Sequence, residues 1–299
     1  MDSLQKIRVA ILDLYEGQPN QGMRCLREIL TQYGKEHHLQ IEYDEFEVRL
    51  QLQVPDLSYD IYISSGGPGS PLESKGSAWE EKYFHWLEEI ERYNNDVRNA
   101  SIGSGNTQID TTVGADRLPK QVFFICHSFQ LICRHYELAQ VTNRKSTAFG
   151  VFPVHIQPDG LQEPVFTDLQ DPFFAVDSRN YQVIQPDFAR MAGMGAHILA
   201  IEKERPHVPL ERAIMAIRFN EYMIGTQFHP EADPGGMSMY LQREDRKKTV
   251  IAEHGEEKWS GMIEQLNDPD KIRWTYAHVL PNFLDYALNH QQATALAGR

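Results

Sequence analysis

The sequence predicts a three-layer α/β fold, in which a largely parallel sheet lies between two layers of helices. Short apolar runs rich in Val, Ile and Leu, such as residues 7–14, alternate along the chain with amphipathic segments such as residues 79–93. Apolar runs of this kind are typical of buried parallel strands, which need helical crossovers between them. Three polar motifs also follow apolar runs, and ligands of α/β folds bind at the carboxyl ends of strands.

The first half of the chain predicts three strands and two helices. The predicted strands are residues 7–14, 41–48 and 59–64, and the predicted helices are residues 20–34 and 79–93. Asn20 is the predicted cap of the first helix. Residues 41–48 alternate apolar and polar side chains, which predicts a strand near the edge of the sheet. Residues 94–120 break the pattern, and the Gly- and Ser-rich stretch 101–107 predicts a mobile loop.

The second half continues the alternation and then becomes helical. Its predicted strands are residues 122–125, 150–156, 182–184, 196–201 and 213–219, and its predicted helices are residues 237–254, 256–266 and 272–288. We therefore predict two parts: a domain at 1–232, and a helical C-terminal extension at 233–299 that packs on it. Helical apolar stripes usually pack into a core, so this prediction is favoured over a lid or a docking surface.

Composition favours an ordinary globular enzyme. The 299 residues include 29 basic and 42 acidic side chains, and the net charge of −13 argues against a nucleic-acid partner. The sequence has no long apolar segment and its N-terminus lacks a secretory pattern, which predicts no membrane association. Three cysteines do not suggest a disulfide framework, so a reducing cytoplasm is the predicted location.

Cys126 is the most informative residue of the chain. It closes the apolar run at residues 122–125 and opens an amphipathic segment, so it is predicted to lie where a buried strand becomes a helix. At such a corner the side chain projects from the sheet, and the free amides at the start of the helix favour a thiolate and an oxyanion. A lone cysteine is more often inert packing, and two further motifs favour the catalytic interpretation.

The two further motifs flank Cys126 in the sequence. A glycine-rich loop at residues 64–71, Ser-Ser-Gly-Gly-Pro-Gly-Ser-Pro, follows the predicted strand 59–64 and would let backbone N–H groups approach a ligand. His229 and Glu231 follow the predicted strand 213–219 and the turn at Asn220. A histidine with a carboxylate nearby offers a base and the group that orients it. Each motif is weak alone, and the order loop, nucleophile, base is specific.

With these motifs the chain resembles the class I glutamine amidotransferases over roughly residues 6 to 232, and is similar to the glutaminase domain of GMP synthases. The family fold is three-layer and flavodoxin-like. The resemblance implies that Cys126 attacks the side-chain amide of glutamine, that His229 is the general base and acid, and that Glu231 orients the imidazole. It also implies an oxyanion hole and two substrate contacts. The residues concerned are Gly67 and His127 for the oxyanion hole, and Gln130 and Ser178 for the substrate.

The turn around the nucleophile at residues 124–130, which we call the elbow, departs from the family pattern at two positions. A sharp turn between strand and helix crowds the positions two before and two after the nucleophile, where small residues are preferred. This chain has Phe124 and Ser128 there. Ser128 is small, whereas Phe124 requires either a shifted backbone or a Cys126 that lacks the strained conformation. In residues 175–183, only Ser178 and residues 182–183 match a stretch that helps relatives bind substrate.

The resemblance implies release of ammonia from glutamine through a glutamyl thioester, without a cofactor. The sequence has no phosphate-binding loop of a synthetase. Four alternatives therefore stay open: a subunit that works with a separate synthetase, a free-standing glutaminase, a hydrolase of γ-glutamyl peptides, and a non-catalytic binding protein. A related superfamily of proteases and chaperone-like proteins would instead use Cys126 with His127 as a dyad. His37 and His38 lack metal-ligand spacing, and no metal site is predicted.

Overall fold

A computed structural model of the protein describes residues 5–102, 118–207, 209–242, 244–268 and 271–297. Its strands, in chain order, are β1 (Lys6–Asp13), β2 (Gln40–Glu47), β3 (Ile61–Ser64), β4 (Gln121–Ile125), β5 (Ala139–Ile156), β6 (Phe173–Pro186), β7 (His197–Glu202), β8 (Ile214–Asn220) and β9 (Met223–Thr226). Its helices are α1 (Gly22–Glu36), α2 (Val48–Gln51), α3 (Ala78–Ile102), α4 (His127–His135), α5 (Phe188–Met194), α6 (Pro234–Gln242), α7 (Glu244–His254), α8 (Glu256–Asn267) and α9 (Ile272–Ala297).

The described strands form one sheet in the order β2-β1-β3-β4-β9-β8-β7-β5-β6. The pairs from β2 to β9 are parallel, and the pairs from β9 to β6 are antiparallel. β2 lies at an edge, as its alternating sequence predicts. β9 is not predicted from the sequence, because four residues after a turn give too little periodicity to distinguish a strand from a loop. The His229 motif therefore follows β9, and not β8.

The parallel half of the sheet brings the three motifs together. β4 lies between β3 and β9, with Phe124 paired to Ser64 on one side and to Gly225 on the other. All three strands point the same way, so the segments that follow them emerge side by side at one edge of the sheet. The glycine-rich loop follows β3, Cys126 follows β4, and His229 follows β9. The register thus places loop, nucleophile and histidine in neighbouring positions.

The two faces of the sheet carry separate apolar cores. On β4, Phe123 and Ile125 point into a cluster with side chains of α1 and α9, whereas Val122 and Phe124 point into a cluster with α3 and α4. Alternation along a strand sends successive side chains to opposite faces, and a strand buried on both faces reads as a continuous apolar run. The predicted three-layer α/β fold is confirmed.

Several elements are longer than the sequence predicts. β5 and β6 run for 18 and 14 residues as one antiparallel pair, with an irregularity in register between Asn143 and Ala148. The polar residues around this irregularity interrupt the apolar pattern, so the sequence predicts only part of each strand. α3 extends to Ile102, so the start of the predicted loop at 101–107 is helical; residues 103–107 lie outside the described residues.

The C-terminal helices pack in two different places. α6, α7 and α8 cover a third apolar cluster on β5 and β6, which includes Val151, Val176 and Met262. α9 instead joins the main cluster with α1 and β1, where Phe283 contacts Phe123 with ring centroids 5.1 Å apart. The division of the chain into a domain at 1–232 and an extension at 233–299 stays a prediction. The last helix, α9, shares the apolar core of the sheet.

A phenylalanine pair tests whether α9 belongs to the folding unit. Phe283 is fully buried, and its replacement by alanine leaves a cavity, so we expect Phe283→Ala to lower the free energy of unfolding by about 3–5 kcal/mol. Phe188, in α5, is 70% exposed, and Phe188→Ala should change the free energy of unfolding by less than about 0.5 kcal/mol. Urea unfolding followed by circular dichroism measures both values. Equal, small effects would mean that α9 does not stabilise the sheet.

No helix within the described residues is both long and apolar enough to cross a membrane.

Candidate active site

Cys126 occupies a strained corner between β4 and α4. Its backbone has φ 49° and ψ −97°, a region that L-residues avoid unless their surroundings fix it. Two hydrogen bonds fix the corner: the Cys126 N–H donates to the Thr226 carbonyl at 2.7 Å, and the Gln130 N–H donates to the Cys126 carbonyl at 3.0 Å. The side chain is 5% exposed and stands at the start of α4, where the helix dipole favours negative charge.

Phe124 fits at the elbow because the neighbouring strand has a glycine. The ring points to the face covered by α4 and packs at right angles to Phe219, with centroids 5.9 Å apart. Gly225 of β9 lies opposite, and a Cβ there would be 3.1 Å from the Cβ of Phe124 and 3.0 Å from the Phe129 ring. Gly225 on β9 therefore provides the room that Phe124 needs on β4, and Cys126 keeps its strained conformation.

Ser128 ties the elbow to the adjacent strand. Its hydroxyl oxygen accepts from the Ile125 N–H at 2.8 Å and donates to the Ser64 carbonyl at 2.9 Å. The side chain is fully buried, so both bonds are shielded from water. The predicted small residue after the nucleophile thus fits, and it also connects the end of β4 to the end of β3.

His229 and Glu231 complete a cluster with Cys126. Glu231 Oε1 lies 2.8 Å from Nδ1 of His229, which leaves Nε2 as the nitrogen available to the thiol. Burial disfavours the imidazolium, but the charge of Glu231 and a hydrogen bond with Cys126 outweigh it, and the pKa of His229 is raised well above its usual value. The cluster therefore favours the protonated imidazole beside Cys126.

His127 is a poor candidate for the base. Its side chain is buried, and burial together with the charges of Arg49 and Arg134 lowers its pKa to about 3. Its Nε2 atom has no hydrogen-bond partner among the described residues. A proton accepted by this imidazole would be held only weakly at neutral pH. The lowered pKa of His127 therefore argues against the alternative dyad of Cys126 with His127.

Two backbone amides are available as oxyanion donors. Within the described residues, neither the Gly67 N–H nor the His127 N–H donates to a protein acceptor. The Gly66 carbonyl accepts from the Ser65 hydroxyl at 2.8 Å, which fixes the peptide plane that carries the Gly67 N–H. A Cβ on Gly66 would lie 2.8 Å from Cε1 of His229, so only glycine fits beside the imidazole.

Gln130 bonds to two groups of the protein. Its Nε2 donates to Gln227 Oε1 at 2.9 Å and to the Tyr181 carbonyl at 3.4 Å. Gln227, which the sequence analysis missed, in turn lies with its Nε2 3.6 Å from the Cys126 sulfur. Both amides are buried. Gln227 stands two residues before His229, and no local pattern distinguishes it, because residues 226–228 are all buried.

Ser178 and Tyr15 border the cluster on other sides. The Ser178 side chain is exposed, and its carbonyl oxygen lies 3.9 Å from the Cys126 sulfur. Tyr15 was not singled out from the sequence; a Cβ on Gly22 would lie 2.6 Å from its hydroxyl and 3.2 Å from Glu231 Oε1. Burial and the charges of Glu231 and Cys126 raise the pKa of Tyr15 well above its usual value, so its hydroxyl stays protonated.

The described part of the chain contains no group of three or more His, Cys, Asp or Glu side chains that could hold a metal ion. The three cysteines are free and buried.

A sequence comparison finds a related family. The family model described as glutamine amidotransferase class-I matches residues 101–246, the segment that carries Cys126, His229 and Glu231. This match and the fold of the solved structures below support a class I glutamine amidotransferase-like family. The predicted resemblance is therefore confirmed, whereas the roles of individual residues remain predictions. No curated protein matches the chain significantly.

Solved structures share the glutamine amidotransferase fold with this chain at low sequence identity. A glutamine amidotransferase from Thermotoga maritima is 13% identical with a TM-score of 0.59, over 94% of this chain and 98% of its own. One from Methylobacillus flagellatus is 14% identical with a TM-score of 0.53, over 95% and 96%. The CTPS glutaminase domain of Trypanosoma brucei, with bound acivicin, is 12% identical with a TM-score of 0.53, over 95% and 94%.

Removal of the carboxylate charge tests the electrostatics of this amidotransferase-like site. Glu231 raises the pKa of His229, so we expect Glu231→Gln to lower that pKa and to reduce catalysis about a hundredfold. In the intact protein the raised pKa stabilises the fold below the unfolded pKa of histidine, and this contribution is lost as pH rises through the folded value. NMR titration of ring-labelled histidine, assigned with His229→Gln, measures the shift. An unchanged pKa would contradict the ion-pair assignment.

Proposed function

We propose that the chain is a cysteine hydrolase of the glutaminase type, which releases ammonia from glutamine through a glutamyl thioester. One observation carries the proposal: Glu231 Oε1 lies 2.8 Å from Nδ1 of His229, and a Cβ on Gly66 would lie 2.8 Å from the His229 ring and 3.6 Å from the Cβ of Cys126. A nucleophile, a base and the group that orients the base thus lie side by side, which is the arrangement of nucleophilic catalysis.

The first half of the reaction forms the thioester. The Cys126 thiolate attacks the γ-carboxamide carbon, and the carbonyl electron pair moves to the oxygen. The N–H groups of Gly67 and His127 would bind the resulting oxyanion. His229 then gives its proton to the amide nitrogen, the carbon–nitrogen bond breaks, and ammonia leaves. The γ-glutamyl group remains on the sulfur.

The second half releases glutamate. Neutral His229 takes a proton from water, and the hydroxide attacks the thioester carbon while the same two amides bind the new oxyanion. Collapse of this intermediate breaks the carbon–sulfur bond, and His229 and the thiolate return to their starting charges. Glu231 keeps the imidazole in one orientation and stabilises its positive charge throughout.

A γ-glutamyl peptide or conjugate is the second candidate substrate. The observation that favours it is the engagement of Gln130, whose amide donates to Gln227 and Tyr181 rather than facing an open site. Ser178 also presents its carbonyl, and not its hydroxyl, to the sulfur. Recognition of free glutamine by these two residues would require both to reorient. The same thioester chemistry acts on a γ-glutamyl amide with a larger leaving amine.

The proposal leaves two destinations for ammonia. A separate synthetase subunit would use it as a nitrogen donor, and a free-standing glutaminase would release it. A reducing cytoplasm is the proposed location, because a catalytic thiol must stay reduced to act as a nucleophile.

A substrate panel tests the proposal. Glutamate release is measured with glutamine and with a set of γ-glutamyl dipeptides, and rapid quenching with intact-mass analysis detects the glutamyl adduct on Cys126. We expect release from at least one substrate together with this adduct. Preference for dipeptides would identify a peptide hydrolase, and activity with glutamine that rises on addition of a synthetase would identify a partner.

The contrary result is equally specific. Release from no substrate, with Cys126 unreactive toward iodoacetamide, would exclude the hydrolase and favour a binding protein that retains the fold. Release without an adduct on Cys126 would place the chemistry elsewhere in the chain.

A further inference from the structure

Two arginines contact residues 66–71 of the glycine-rich loop, and we call these six residues the oxyanion loop. Arg49 Nη1 donates to the Pro68 carbonyl at 2.7 Å and to the Leu14 carbonyl at 3.3 Å. Arg134 Nη1 donates to the Pro71 carbonyl. Guanidinium groups form strong, directional bonds to oxygen acceptors. The loop is therefore held at both of its prolines by cations from α2 and α4.

Arg49 bonds to both segments that meet at Gly67, the end of β1 and the oxyanion loop. A Cβ on Gly67 would overlap the Leu14 carbonyl oxygen, so the loop backbone packs directly on the end of β1. Arg49 binds that same Leu14 oxygen and also the Pro68 oxygen, one residue beyond Gly67. One side chain thus links the loop to the strand against which it packs.

The first turn of α3 positions both arginines. The Arg49 guanidinium lies 5.1 Å from the ring centroid of Trp79, and Arg134 Nη2 lies 2.5 Å from Glu80 Oε1. The arginine side chains are only 10% and 16% exposed, and that of Glu80 is 4% exposed. Charges buried to this extent carry a desolvation cost, which is offset only where their geometry is well satisfied. Neighbouring residues of one helix supply that geometry for both arginines.

We propose that Arg49 and Arg134 are positioning residues of the oxyanion hole. By fixing the carbonyls of Pro68 and Pro71, they keep the oxyanion loop in the conformation that leaves the Gly67 N–H free for the reacting oxygen. Neither arginine touches the reacting atoms in this assignment. The inference rests on the proposed acyl transfer and extends it to residues outside the motifs.

A comparison of two reactions of Cys126 tests the assignment. Acylation by p-nitrophenyl acetate passes through an oxyanion, whereas alkylation by iodoacetamide displaces iodide at a saturated carbon and needs no oxyanion hole. We expect Arg49→Met to slow acylation about 10- to 100-fold and to leave alkylation within about threefold. Arg134→Met should give the same split, and it serves if Arg49→Met does not fold.

Arg218 provides a matched control. Its side chain is also 10% exposed and is paired with Glu163, at a site formed by β8 and the turn before β6. Arg218→Met therefore removes an equally buried charge and should slow neither reaction selectively. Parallel losses of acylation and alkylation in Arg49→Met, or an unchanged acylation rate, would overturn the assignment.

Hydrogen–deuterium exchange separates this inference from the proposed hydrolase. The exchange of residues 64–77 is followed in the intact protein and in the three variants, so bracing of the loop is measured even if no substrate is turned over. Faster exchange in Arg49→Met and Arg134→Met, but not in Arg218→Met, would support the bracing. Equal exchange in all four proteins would refute it, whatever the outcome with substrates.

Discussion

Cys126→Ala should abolish glutamate release, with a loss of at least about 10⁴-fold in kcat for the best substrate of the intact protein. Removal of the sulfur leaves the histidine and the oxyanion amides in place but removes the atom that forms the thioester, and members of such a cluster act as a unit. The residual rate then comes from binding and polarisation of the substrate alone. A coupled assay of glutamate, with wild-type and variant protein at equal concentration, measures the difference.

Cys133→Ala is the control for Cys126→Ala. Cys133 lies seven residues further along the same helix, is fully buried and is a free thiol, so its replacement perturbs packing of α4 without removing the nucleophile. We expect it to retain activity within about threefold, with a loss of about 1 kcal/mol in stability. If Cys126→Ala kept more than a tenth of the activity, the assignment of the nucleophile would be wrong.

His229→Gln should lower kcat by about 10³- to 10⁴-fold and should also slow alkylation of Cys126. Glutamine keeps polar contacts near Glu231 but cannot carry a proton between the thiol, the leaving amine and water. The loss of alkylation has a separate cause, because the imidazolium no longer stabilises the thiolate beside it. The pH dependence of both rates, followed from pH 5 to pH 9, provides the measurement.

His127→Gln distinguishes the triad from the dyad. The substitution retains the backbone N–H and removes the imidazole whose pKa burial and two arginines lower to about 3. We expect activity within about tenfold of the intact protein, with any loss explained by a changed thermal midpoint. A large loss in His127→Gln together with a small one in His229→Gln would reverse the roles and favour the Cys126–His127 dyad.

The sequence predicts the fold well where the signals are local. The alternation of apolar runs and amphipathic segments predicts three layers, and the motif order predicts that the oxyanion loop, Cys126 and His229 share one edge of the sheet. β9 is not predicted, and β5 and β6 are predicted only in part, at residues 150–156 and 182–184, because the rest of each strand pairs with partners that only the folded sheet provides. Strand pairing, and not local preference, forms these elements.

The site is predicted less completely, for a similar reason. Cys126, His229 and Glu231 follow from short motifs, and the structure brings them together. Gln227, Tyr15 and the two arginines of the oxyanion loop could not be found in this way. Arg49 meets Pro68 across 19 positions, and Arg134 meets Pro71 across 63. Contacts between elements so distant in the chain leave no periodic signal in either segment.

The elbow shows how a steric requirement can move from one strand to its neighbour. Phe124 stands where the family pattern asks for a small residue, and Gly225, directly across the parallel pair, supplies the missing volume. Room for the strained cysteine is thus a shared property of β4 and β9, which are distant in the sequence and paired in the sheet. A motif that considers only the segment around Cys126 counts Phe124 as a mismatch. In the folded sheet the same steric requirement is met with the large residue on β4 and the small residue, Gly225, on β9.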